Sequence, residues 1–274
     1  MQKMIVFLFL FACSLSGMEY QYTQPASRHV NYLFRLPPEL IVYVAKFLPQ
    51  HDAVHVRKTC HFLHNLLYEG TIVKLSKLHL LEELNLGKNL LIKLPREFSQ
   101  LSQLHSLDLS ENNLSPTGIN PICSLPSLIR LNLSGSVKHG ITPAIANLVT
   151  LQELIISSNN LTPEQIEWFC RLLNLRLLDA HNNQITYLPM AFANLSRLRS
   201  LILSQNPITS DGIGPVESLT NLKELDISSC PTLHTFYDGI AQALPLERLN
   251  IQGTDIPLAH VQPLLAHGTQ LVHD

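Results

Sequence analysis

Leu104-His105-Ser106-Leu107-Asp108-Leu109-Ser110-Glu111-Asn112-Asn113-Leu114 decides the fold. Leu stands at the first, fourth, sixth and eleventh places and Asn at the ninth. The alternation through Leu107 and Leu109 is that of a short strand with one face buried. Asn112 follows where a side-chain amide can hydrogen-bond loop backbone. Working outward, the same pattern starts at Leu81, Leu104, Leu128, Leu151, Leu175, Leu198, Leu222 and Leu246, at spacings of 23 or 24 residues. No single unit can bury its Leu face, so the units must stack into a solenoid.

The period and the Leu-x-x-Leu-x-Leu-x-x-Asn-x-Leu pattern resemble the leucine-rich repeat, with eight copies over 81–256. The expected fold class is α/β: a leucine-rich-repeat solenoid with parallel strands on its concave face, preceded by a small all-α module. Asn89, Asn112, Asn159, Asn183 and Asn206 form the amide column. Ser136, Cys230 and Thr254 depart from it, so looser or altered turns are expected there. Residues 257–274 contain Pro257 and Pro263 and no full copy, and read as a C-terminal cap.

If the second and third strand Leu of each unit point inward, the third, fifth and seventh places face outward. Down the stack the third place reads Glu83, Ser106, Arg130, Glu153, Leu177, Ser200, Glu224, Arg248. The fifth reads Asn85, Asp108, Asn132, Ile155, Asp179, Ile202, Asp226, Asn250. The seventh place is small, mostly Ser or Gly, until His181 and Gln252 interrupt it. Ile155, Leu177 and Ile202 are the apolar exceptions, expected to be exposed on consecutive strands. They sit among Asp108, Arg130, Glu153, Asp179, His181 and Asp226, and an apolar centre in a polar ring is the usual arrangement of a binding hot spot. An unknown protein substrate is the expected occupant.

Upstream, Leu36-Pro37-Pro38-Glu39-Leu40 opens a helical stripe through Ile41, Val44, Phe47 and Leu48 that stops at Pro49. Asp52 stands at an N-cap place, and Ala53, Val56, Cys60 and Leu63 continue at helical spacing. So short a helical segment, residues 34–70, cannot bury a core of its own and must dock on something. These residues resemble the F-box. The resemblance implies that Leu36, Pro37, Leu40, Val44, Leu48, Val56 and Cys60 bind the Skp-type adaptor of a cullin-RING ubiquitin ligase. Leu63 stands where that family usually has Trp, which reduces the adaptor-facing area.

Residues 1–17 have the layout of a secretory signal peptide: a positive start at Lys3, an apolar run from Ile5 to Phe11, then small residues. A linker, 18–33, and a connector, 71–80, flank the helical module. No stretch is long enough to span a bilayer. With 19 Lys+Arg against 21 Asp+Glu the chain lacks the basic surplus of a nucleic-acid binder, and 46% hydrophobic residues exclude disorder. About a fifth of the chain is Leu, twice the ordinary share.

Five scattered Cys, an odd number, do not make a disulfide scaffold, and no Cys-rich caps flank the repeats. Both features point to a reducing compartment as the place of residence. His51, His55, Cys60, His61 and His64 read as the polar side of short helices rather than zinc ligands. Sequons at Asn113, Asn132, Asn160 and Asn194 follow largely from the repeat pattern itself. No phosphate loop, metalloprotease motif or nucleophile elbow is present, so neither catalysis nor a cofactor is expected.

Two functions remain. One is a monomeric, non-catalytic adaptor, exported by a bacterium into a host cytoplasm, that brings a captured protein to the ligase. The other is an exported or surface-attached recognition protein whose helical segment is only a cap.

Overall fold

The computed structural model describes residues 82–89, 91–94, 96–235 and 244–273, all within one compact unit, Lys74–Asp274. The signal-like segment, the linker, the F-box-like module with Leu36, Pro37, Leu40, Val44, Leu48, Val56 and Cys60, and Leu81 lie outside the described residues.

Each repeat contributes one three-residue strand: β1 (Glu83–Asn85), β2 (Ser106–Asp108), β3 (Arg130–Asn132), β4 (Glu153–Ile155), β5 (Leu177–Asp179), β6 (Ser200–Ile202), β7 (Glu224–Asp226) and β8 (Arg248–Asn250). A ninth, β9 (Gln270–Val272), comes from the segment expected only to cap. All nine pair in parallel in chain order. The register puts like positions side by side, as in Leu131 with Leu154 and Leu154 with Leu178. The central Leu of each of β1 to β8 is buried and that of the terminal β9 is half-buried, so the strands exist because stacking covers what one unit cannot.

The return segments close the core from the other side. A buried apolar residue, then Leu three places on, then the next repeat's first Leu recur as Phe98-Leu101-Leu104, Ile122-Leu125-Leu128, Phe169-Leu172-Leu175 and Phe192-Leu195-Leu198. Most of these returns are short 3-10 turns, such as Pro143–Asn147 and Gly214–Ser218. The fourth is a true helix, α1 (Pro163–Phe169). Pro163 opens it, and Gln165 Oε1 accepts from the Thr162 N–H at 3.1 Å. Gly118 and Gly212 occupy equivalent places in repeats two and six, where the chain passes a neighbour's backbone. Their carbonyls accept from Leu94 N–H and Leu188 N–H, both at 2.8 Å. At the C-terminal end α2 (Leu258–Ala266) buries Val261 and Leu264, and β9 pairs onto β8.

Two features of the strand-to-return turn hold the stack in register. The side chains of Asn112, Asn159, Asn183 and Asn206 donate both within their own turn and to the repeat before. Asn159 Nδ2 reaches Leu133 O at 2.8 Å and Ile156 O at 3.0 Å, while its Oδ1 accepts from Val137 N–H at 2.7 Å. Of the looser or altered turns expected at Ser136 and Cys230, the altered form is found: neither side chain is seen to make the bonds within its own turn that Asn159 makes. Ser136 Oγ donates to Leu109 O and accepts from Asn112 N–H at 2.9 Å, and Cys230 Sγ donates to Leu203 O at 3.5 Å, so both keep the inter-repeat bond. Only Thr254 turns inward, to Ile251 O of its own repeat at 2.6 Å.

The second feature is a left-handed residue at the eighth place of every repeat: Lys88, Glu111, Gly135, Ser158, Asn182, Gln205, Ser229 and Gly253. Two are Gly and one is Asn, which tolerate that region; the other five, Lys88, Glu111, Ser158, Gln205 and Ser229, have no conformational preference for it. The N–H groups of the first seven in chain order donate to the seventh-place carbonyl of the next repeat, as in Gln205 to Ser228 O at 2.9 Å. The hydrogen bond holds the turn against the local strain.

Candidate interaction face

The third, fifth and seventh places line the solvent face of the sheet. The fifth-place acceptors are turned onto the ends of their own strands. Asp108 Oδ1 accepts from Ser110 N–H at 2.9 Å and Ser110 Oγ at 2.6 Å, and Asp226 Oδ1 accepts from Ser228 N–H at 3.0 Å and Ser228 Oγ at 2.7 Å. Asp179 Oδ1 takes the His181 N–H at 3.2 Å and lies 2.7 Å from His181 Nδ1. One oxygen of each carboxylate is thereby committed to fixing the carboxylate's direction. The other oxygen of Asp226 accepts from Asn250 Nδ2 at 3.0 Å.

Lateral pairs tie the remaining positions across strands. Arg130 Nε lies 3.1 Å from Glu153 Oε2, so these two charges neutralise one another. Ser200 Oγ donates to Glu224 Oε2 at 3.1 Å, and Ser134 and Ser157 share a hydroxyl contact of 2.6 Å.

The structure brings Ile155, Leu177 and Ile202 together around Asp179. In register, Ile155 faces Asp179 on β5 and Asp179 faces Ile202 on β6, with Leu177 diagonal to both. A step of one strand and two residues puts the diagonal Cα atoms about 8 Å apart, within reach of large side chains. The expectation that these three are exposed is corrected: all are half-buried. Each has strand neighbours on both sides, Glu153 and Ser200 for Leu177, and that narrow spacing covers part of the side chain. Among the described residues, the exposed large apolar side chains instead lie off the strands, at Ile92, Val149, Leu173, Tyr187, Met190 and Leu258. The strand alternation carries no information about them, because they belong to the turns and return segments outside the strands.

Among the described residues, no three His, Cys, Asp or Glu side chains gather as a metal site requires, and no helix is long and apolar enough to cross a membrane. Burial pushes the thiols of Cys123 and Cys170 up to about 12 and that of Cys230 up to about 11.

Residues 149–208 match the family model described as leucine rich repeat, and residues 101–123 match a second model of the same description. The chain carries leucine-rich repeats. Among solved structures the repeats are similar to a leucine-rich-repeat protein of Leptospira interrogans. That match has 27% identity and a TM-score of 0.62, and covers 71% of this chain and 50% of that one. They are also similar in fold to the internalin C2 of Listeria monocytogenes, at 19% identity and a TM-score of 0.62, covering 93% of this chain and all of that one. A plant peptide hormone receptor, solved in complex with RGF2, shares the fold at 21% identity and a TM-score of 0.51, covering 66% of this chain and 30% of that one. The chain spans half the length of the Leptospira protein. No curated protein matches the sequence.

Proposed function

We propose that this protein is a non-catalytic interaction scaffold whose solenoid captures a protein on the solvent face of its sheet. The observation that carries the reading is the Ile155, Leu177 and Ile202 cluster around the Asp179 and His181 pair. A half-buried apolar centre costs little side-chain entropy on binding, because neighbouring strands already restrain it. Asp108, Asp179, Asp226 and the Arg130 and Glu153 pair surround that centre with directed polar groups. A partner that covers the centre and matches those groups gains affinity from the first and specificity from the second.

The finer reading assigns the captured protein to ubiquitination. Residues 34–70, by their resemblance to the F-box, dock a Skp-type adaptor and cullin through Leu36, Pro37, Leu40, Val44, Leu48, Val56 and Cys60. The ligase then supplies the chemistry and this chain supplies proximity. Export through the signal-like 1–17 segment into a host cytoplasm reconciles that segment with an intracellular partner. The second reading, an exported recognition protein without a ligase, draws on the same segment.

Affinity purification with a eukaryotic Skp-type adaptor separates the two. Wild type retains adaptor and cullin, and Leu36→Ala with Pro37→Ala loses both while the repeats stay folded. Retention by the double variant equal to wild type refutes the F-box assignment. Ile155→Asp with Ile202→Asp keeps the adaptor and loses the captured protein in proximity labelling; an unchanged labelled set refutes the sheet-face site.

A further inference from the structure

A second surface lies along the edge where the strands begin. Val149 and Leu173 are 56% and 53% exposed, and each sits two places before the first Leu of its neighbouring repeat. They are joined rather than scattered: Asn174 Nδ2 donates to Val149 O at 2.7 Å, and Arg197 Nη1 donates to Asn174 Oδ1 at 2.6 Å. That chain of bonds holds the Arg197 guanidinium beside the apolar pair.

The row just before the strands then turns basic. Arg176, Arg199 and Lys223 occupy the same place in successive repeats, linked by Arg199 N–H to Arg176 O and Lys223 N–H to Arg199 O, both at 2.8 Å. Arg176, Arg197 and Arg199 are exposed, and among the described residues Arg176 and Arg199 have no carboxylate partner. Lys223 closes the row, its Nζ 3.1 Å from Glu247 Oε1. In a chain of net charge −2 this is a local excess of positive charge beside exposed aliphatic surface.

We propose that this edge, from Val149 to Lys223, docks an acidic polypeptide segment with interspersed apolar side chains. Successive rows lie about 4.8 Å apart, and alternate residues of an extended chain about 6.6 Å apart, a difference that flexible Arg side chains span. The planar guanidinium fork pairs with a carboxylate through two parallel hydrogen bonds, and Val149 with Leu173 receives an aliphatic residue at one end. A membrane fits less well. Glu153, Asp179, Glu224 and Asp226 follow on the adjoining strands and would repel a broad anionic plane, whereas a narrow segment can run along the edge without covering them.

Fluorescence anisotropy with the full chain tests this, using a labelled peptide of about ten residues that alternates Glu and Leu, with poly-Glu of the same length for comparison. The Glu-Leu peptide binds more tightly than poly-Glu, and binding weakens as salt rises. Arg176→Glu with Arg199→Glu weakens it by at least about tenfold. Val149→Ser with Leu173→Ser removes the preference over poly-Glu. Ile155→Ser with Ile202→Ser leaves binding unchanged, which keeps this surface separate from the sheet-face site. Coincident thermal unfolding curves show that each variant is folded. Absence of peptide binding, equal binding by the Arg variant, or capture of phosphatidylserine vesicles in place of the peptide overturns the proposal.

Discussion

Asn183 Oδ1 accepts the backbone N–H of Asn159 at 3.0 Å, so one side chain completes the turn of the preceding repeat. It also takes the Leu161 N–H at 2.9 Å, while its Nδ2 donates to Ile156 O at 3.1 Å and Ala180 O at 2.9 Å. Both Asn residues are buried, and water cannot replace these bonds.

Asn183→Ala therefore orphans donors and acceptors in two repeats. The expected loss is about 1–3 kcal/mol for each group left unsatisfied. Asn159→Ala removes the equivalent link one repeat earlier and falls in the same range. Urea unfolding followed by circular dichroism measures both, and midpoints equal to wild type would contradict the ladder.

Leu154 is fully buried on β4 and stacks between Leu131 and Leu178. Leu154→Ala removes that contact and leaves a cavity, with an expected cost of about 2–5 kcal/mol. Leu173→Ala, at an exposed position, changes stability by less than about 0.5 kcal/mol. A thermal melt in which the two variants behave alike would refute the assignment of inward and outward places.

A Cβ on Gly212 would lie 2.5 Å from Thr186 O and 2.8 Å from Tyr187 Cα, both backbone atoms. Gly212→Ala must push two repeats apart, and the expected cost is about 1–3 kcal/mol. A Cβ on Gly214 meets nothing within 4 Å, so Gly214→Ala is the matched control and stays near wild type. Loss of stability in the control but not in Gly212→Ala would show that the close approach is absent.

Cys123, Cys170 and Cys230 are buried and carry no disulfide. Folding raises their pKa to about 12, 12 and 11, so the native state keeps the protons that the unfolded chain releases from pH about 9 upward. Their contribution to stability is complete below that pH and is lost as pH rises towards the folded values. At pH about 8 a thiol reagent leaves all three unmodified in the native protein and labels them once it is unfolded. Replacing the three by Ala flattens the alkaline fall in unfolding midpoint; an unchanged slope would assign the fall to other groups.

The sequence by itself determined where strands begin, which Leu residues face the core and which column carries the amide ladder. Those features repeat at a fixed period, and burial of alternate Leu side chains leaves one face to the core. Chain order then follows from stacking, since each repeat can cover only its neighbours. The apolar trio on β4, β5 and β6 was legible for the same reason, as residues at outward places.

The tertiary structure decided what neighbours do to one another. Lys88, Glu111 and Gln205 adopt a left-handed backbone that their side chains do not favour, because a carbonyl of the next repeat holds their N–H groups. Ser136 and Cys230 keep the ladder although they are not Asn, because a hydroxyl or a thiol at that place still reaches the preceding repeat. Half-burial of Ile155, Leu177 and Ile202 comes from strands on either side. The Leu pattern does not announce β9, whose Gln270-Leu271-Val272 segment has only one pattern Leu; its pairing with β8 satisfies an edge that would otherwise be open. Val149, the Leu173 and Arg176 pair, and the Arg197 and Arg199 pair are separated from one another along the chain by about one repeat each. Only the stacking of like positions gathers them on one edge.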